Sequence, residues 1–186
     1  MQLCMQKPLP DASFFWKRIE EIIVRFGGGP YCHAMIRYPD GRSFTTGANH
    51  TMLLGWQDAR YTMQQLASHK DYWDIIDLPC RVTRYVIAWC DSEVGAKYDL
   101  FGAIRSAFKH PREHPGKWMC QESSAAQMVR ADHSGEIFAP GMAGAPLLIP
   151  PSPFAFWTLN NGGTLRPHDE KWLMLPDPVR YTWRPH

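Results

Sequence analysis

The sequence predicts an α+β fold in which a small antiparallel sheet packs against a helix that begins at a cysteine. Three observations carry this expectation. A helical run leads into a hairpin pattern within the first 50 residues, strand-like and helix-like runs follow one another between Tyr72 and Gly95, and "GKWMCQESSAAQMVRA" opens a helix of small residues at Cys120. A chain of 186 residues fits one domain with a real core, and no repeat or linker divides it. The expectation is a single domain over 1–186, with a loop-rich C-terminal extension from about residue 132.

Asp11 or Ser13 caps a first helix running to about Phe26, with Phe15, Ile19, Ile22, Ile23 and Phe26 at helical spacing and Glu20 and Glu21 on the other side. "GGGP" ends it. "YCHAMIRYPDGRSFTTG" reads as a β-hairpin about the "PDG" turn. "ARYTMQQLASH" is a candidate short helix, and "YWDIIDLP" a strand closed by proline. "RVTRYVIAWCDSEVG" follows as a helix with Val82, Val86, Trp89 and Cys90 on one face and Gly95 as its stop. "KYDLFG" and "KHPREHPGK" are expected as loop. Beyond Ala131, "PGMAGAPLLIPPSPF" is expected to be irregular apart from a short strand at Leu147–Ile149. The tail is expected to add a strand or to pack its tryptophans on the core.

Composition narrows the function classes. A formal charge of +2, with no basic run and no interleaved aromatics, argues against nucleic acid. Cys4, Cys32, Cys80, Cys90 and Cys120 form no CxxC pair, so the simplest reading is free thiols in a reducing compartment. Pro8, Pro10 and Asp11 break any signal-peptide core, and no window reaches the roughly 18 apolar residues of a membrane span. The expectation is a chain that is cytoplasmic as synthesised. His110 and His114 stand four apart in "HPREH", but the flanking prolines oppose the helix that a metal pair of this spacing needs, so no metal site is expected.

Cys120 stands where a helix begins. There the unpaired N–H groups and the positive end of the dipole favour a thiolate and can hold an oxyanion. A thiol nucleophile needs a base within hydrogen-bond distance, and His33 is the histidine that lies inside a convincing strand. Spacing alone leaves Cys120 open between core filler, the commoner fate of free cysteine, and nucleophile. His33 is equally open between structural residue and base.

The order "PYCHAMIRYPDGRSFTTG", "GAKYDLFG", "KWMCQES" resembles the circularly permuted papain-like hydrolases, the YiiX/YaeF-like branch of the NlpC-type superfamily. The resemblance covers about Phe14 to Ala131 and extends weakly to "IPPSPFAFW". It implies a permuted papain-like fold with Cys120 as nucleophile, His33 as general base and acid, and Tyr98 near the substrate or the oxyanion. Asp99 would cap the following turn or helix. The third catalytic residue falls among Thr45, Asn49 and His50, with His50 favoured because imidazole can donate to or accept from His33. Cys32 and Gln121 depart from the serines usual beside the histidine and the cysteine, whereas Glu122 keeps the acidic residue of the first helical turn.

The resemblance implies a cysteine peptidase or amidase that needs no cofactor and cleaves a peptidoglycan stem peptide or a lipid-like acyl substrate. An acyltransferase shares the first half of that chemistry. A cell-wall substrate requires delivery by a phage particle, a secretion system or host lysis. The alternative expectation is a non-catalytic structural or binding component of a larger assembly, such as a phage particle, that keeps the fold. Eight tryptophans and sixteen prolines suit such a surface.

Overall fold

A computed structural model describes residues 1–47, 51–108, 116–131, 150–169 and 171–175. Its centre is β1 (Gln2–Gln6), buried at every residue. β1 pairs along its whole length with β2 (His33–Arg37), from Gln2↔Arg37 to Gln6↔His33. On its other side it pairs with β5 (Trp73–Asp77), from Gln2↔Asp77 to Gln6↔Trp73. β3 (Ser43–Thr46), β4 (Leu54–Gln57) and β8 (Thr164–Leu165) complete an antiparallel sheet in the order β4-β3-β2-β1-β5-β8. The fold is α+β. Sequence reasoning recognised the hairpin and β5 but missed β1, because a strand covered on both faces lacks the polar alternation that marks a half-exposed one.

Strand alternation sorts the core into two faces. Leu3, Met5, Ala34, Ile36 and Phe44 pack against α3 (Arg84–Glu93), α5 (Cys120–Ala131) and α6 (Pro151–Asn160), through Val86, Cys90, Ala125, Met128 and Phe154. Cys4, Met35, Trp73 and Ile75 face the opposite way, toward Leu66 of α2 (Ala59–Ser68) and Trp172. At the end of the sheet, α1 (Phe14–Gly27) and α4 (Leu100–Ala107) close a third cluster, in which Ile19, Ile23 and Ala103 meet Cys32 and Met119. Trp172 therefore packs into the core, in line with the expectation for the tail tryptophans.

Two segments expected to be irregular are regular. "KYDLFG" supplies β6 (Lys97–Tyr98), parallel to β7 (Lys117–Trp118), and then opens α4. Asp99 is the N-cap of α4, its Oδ1 accepting from the Gly102 amide at 2.9 Å. Gly102 is required there because a Cβ would collide with that carboxylate. Within the proline-rich stretch, α6 begins at Pro151, where a missing N–H costs nothing because the first turn has no intrahelical acceptor for it.

The start of α6 fixes the approach to β2. Ser152 Oγ accepts from the Tyr31 amide at 2.9 Å, and a Cβ on Gly29 would lie 2.7 Å from the Ser152 Cβ. The expected strand at Leu147–Ile149 and the histidines His110, His114 and His133 lie outside the described residues. No described helix is long and apolar enough to cross a membrane.

Leu3 is fully buried on the central strand, so Leu3→Ala should lower the unfolding free energy by about 2–5 kcal/mol. Urea denaturation would measure this, and a loss below about 1 kcal/mol would contradict the central placement of β1.

Candidate active site

α5 is buried at nearly every position, including Cys120, Gln121, Ser123, Ser124 and Gln127. Small side chains let it lie against β2 and β3, and specific bonds satisfy most of its polar groups. Gln127 accepts from the Tyr38 hydroxyl at 2.9 Å and donates to Ser123 O at 3.1 Å. Ser123 Oγ donates to Cys120 O at 3.0 Å. Glu122 reaches back over the helix start and accepts from the Met119 amide at 3.1 Å, while Met119 O takes the Ser123 amide. That bond is one half of a capping box, and it fixes Cys120 as the first helical residue.

The sulfur of Cys120 fills a gap in the sheet. The hydrogen-bond phase of β2 turns its even-numbered amides toward β3, as Tyr38 N shows by donating to Arg42 O at 2.8 Å. The β2–β3 ladder runs only through Arg37↔Ser43 and Ile36↔Phe44, so β3 offers Ala34 no ladder partner. The Ala34 amide instead lies near the Cys120 sulfur and favours its ionised form. The amides of Gln121 and Cys120 act on the same sulfur, and all three favour the thiolate. Burial outweighs them and pushes the thiol up to about 11. The resting thiol is therefore neutral, and its proton lies toward Gln121 Oε1 at 3.2 Å.

His33 comes to the same gap from the other face. Alternation puts it with Met35 and Arg37, opposite the Ala34 face on which α5 lies. Its ring meets Trp73 edge-on at 6.4 Å, and its Nε2 lies 3.1 Å from Thr45 Oγ1. The Thr45 hydroxyl donates to Thr46 O at 3.2 Å, so it accepts from His33, which assigns the Nε2–H tautomer and leaves Nδ1 without a hydrogen-bond partner among the described residues. Burial lowers the His33 pKa to about 4, so the imidazole is neutral at neutral pH. Among the described residues, no hydrogen bond joins Cys120 to His33. The Cys120 helix and the His33 side chain lie on opposite faces of β2, and His33 lines a cleft that Cys120 does not.

A cleft of about 360 Å³ lies over this end of the sheet, with Trp16, Ile19, Glu20 and Ile23 of α1 on one side. Cys32, His33 and Tyr98 form part of its inner wall. Cys32 and Tyr98 are electrostatic neighbours of Cys120, so the sulfur lies near that wall without lining the cleft. Burial raises the Tyr98 hydroxyl well above its ordinary value and raises the Cys32 thiol, so both stay protonated.

The structure thus gathers Cys120, His33 and Tyr98 at one end of the sheet and brings Thr45 to His33. Asn49 and His50 lie outside the described residues. Of the three candidates Thr45, Asn49 and His50, with His50 preferred, Thr45 is the one within the described residues, and the hairpin register sets it beside His33. With Tyr38 paired to Arg42, Thr45 is the diagonal neighbour of His33 on the same face. Glu20 was read only as the outer side of α1. Among the described residues, no group of three His, Cys, Asp or Glu could hold a metal ion. No family model, curated protein or solved structure matches the chain.

His33 makes stability depend on pH. Its folded pKa lies below the ordinary 6.5, so between about 6.5 and 4 the unfolded chain binds more protons than the folded one. Stability is therefore complete above 6.5 and is lost as pH falls through that window, on the order of 3 kcal/mol in all. In urea titrations from pH 7 to 5, His33→Gln should remove this part of the slope; an unchanged slope would assign it to other groups.

Proposed function

We propose that the chain is a cysteine hydrolase of the permuted papain-like kind, which cleaves an amide or ester through an acyl-enzyme on Cys120. One observation carries the proposal: the Cys120 sulfur, at a helix start, lies near the amide of Ala34, the residue next to a histidine whose Nδ1 has no partner among the described residues. In the proposed cycle, Nδ1 takes the thiol proton while the sulfur bonds to the acyl carbon and the carbonyl electrons move to oxygen. The Ala34 and Gln121 amides are suited to holding that oxyanion. Nδ1–H then protonates the leaving amine or alcohol as its bond to carbon breaks. Water, giving its proton to Nδ1, releases the acid and restores the thiol. Thr45 keeps the ring in the required tautomer throughout.

The substrate classes that the resemblance implies, a peptidoglycan stem peptide or a lipid-like acyl compound, fit a cleft at the small end of the usual range for ligand sites. With an amine or lysolipid in place of water, the same intermediate would give an acyltransferase. A cell-wall substrate would again require delivery by a phage particle or a secretion system.

A second reading, a non-catalytic structural or binding component that keeps the fold, is favoured by the 1% exposure of Cys120 and its raised thiol pKa. Covalent labelling separates the two. A vinyl sulfone carrying a short acyl-amide should modify Cys120 of the folded chain at pH 7.5. His33→Ala should slow this labelling by about a hundredfold or more, as expected for loss of a general base. Labelling that occurs only after unfolding, or at equal rates with and without His33, would overturn the hydrolase proposal.

A further inference from the structure

The α1 wall of the cleft carries one charge. Trp16, Ile19, Glu20 and Ile23 all line the cleft, and three of these four are apolar or aromatic. Glu20 Oε2 accepts from the Leu9 amide at 3.3 Å, and among the described residues no cation pairs with this carboxylate. The neighbouring Glu21, by contrast, pairs with Arg18 on the outer surface at 2.9 Å. Desolvation pushes the Glu20 carboxyl up to about 6, a cost that a bound cation would offset. Trp16 adds an aromatic surface suited to the same kind of group.

We propose that Glu20 is the anchor for a primary ammonium group, so that the cleft takes an acyl compound bearing an amine rather than a neutral or acidic one. The assignment of the reacting end rests on the hydrolase reading of Cys120; ammonium binding by the cleft does not. Among the described residues, Cys32 just before β2, Tyr98 from β6 and Asp11 from the segment before α1 are the charged or titratable neighbours of Glu20, and His33 shares the cleft. His33 stays neutral above about 4, and the raised thiol and phenol stay protonated. Of the described groups lining the cleft, Glu20 is thus the one that titrates between pH 5 and 7.5.

The test uses the full chain carrying Cys120→Ala, which removes turnover, with pentylamine and pentanol as probes followed by tryptophan fluorescence and calorimetry. At pH 7.5 pentylamine should bind at least about tenfold more tightly than pentanol, the usual scale of one charge-assisted contact. That preference should disappear at pH 5, and Glu20→Gln should abolish it at pH 7.5. Equal binding of the two probes at pH 7.5, binding of neither, or a preference that survives at pH 5 or in Glu20→Gln would overturn the proposal. The pH series leaves Glu20 in place, so a variant that fails to fold still leaves a decisive reading. Failure of vinyl sulfone labelling would sink the hydrolase reading and leave this binding result standing, so the two fail separately.

Discussion

The double pairing of β1 is the constraint on which the rest of the structure depends. Gln2 to Gln6 hold β2 on one side and β5 on the other, and this fixes the phase of every amide in β2. Once that phase is set, Ala34 N–H must point toward β3, where the short ladder gives it no partner. A buried amide without an acceptor costs free energy comparable to a lost hydrogen bond, and the nearby Cys120 sulfur offsets part of that cost. The position of the thiol is therefore a consequence of strand register as much as of helix α5.

The same register accounts for what the sequence made legible. Short-range signals served well where helical periodicity, turn residues, a closing proline or caps mark an element, as in α1, the hairpin, β5 and α3. Cys120 and His33 were singled out by residue type and place, Tyr98 through the family resemblance, and His33 and Tyr98 line one cleft with Cys120 near it. β1 was hidden because both of its faces are covered, and α6 because its prolines occupy a first turn that tolerates them. Thr45 was within reach of register counting back from the turn, whereas chemical preference pointed to His50. Glu20 could not be found by pattern, because its significance lies in facing a cleft without a cation, which only tertiary packing creates.

Burial sets the electrostatic character of the site. It drives the thiol up to about 11 and the imidazole down to about 4, so each group rests in its neutral form. A ready-made thiolate–imidazolium pair, in which the cysteine is ionised before substrate arrives, is not the resting state of such a site. The three amides on the sulfur work against burial without overcoming it.

Within the hydrolase proposal, this neutrality dictates the order of events. A thiol near 11 cannot give up its proton first to a base near 4, because the separated charges would stand in poorly solvated surroundings. Proton transfer to His33 Nδ1 must instead accompany carbon–sulfur bond formation, so that the negative charge passes directly to the carbonyl oxygen and its amide donors. The chemistry then resembles general-base activation of a hydroxyl more than attack by a free thiolate. Such a step depends heavily on orientation, since the base contributes only when sulfur, proton and ring nitrogen are in line. Trp73 at the edge of the His33 ring and Thr45 on its Nε2 restrict the imidazole from two directions, and this restriction is what a concerted transfer across the gap requires.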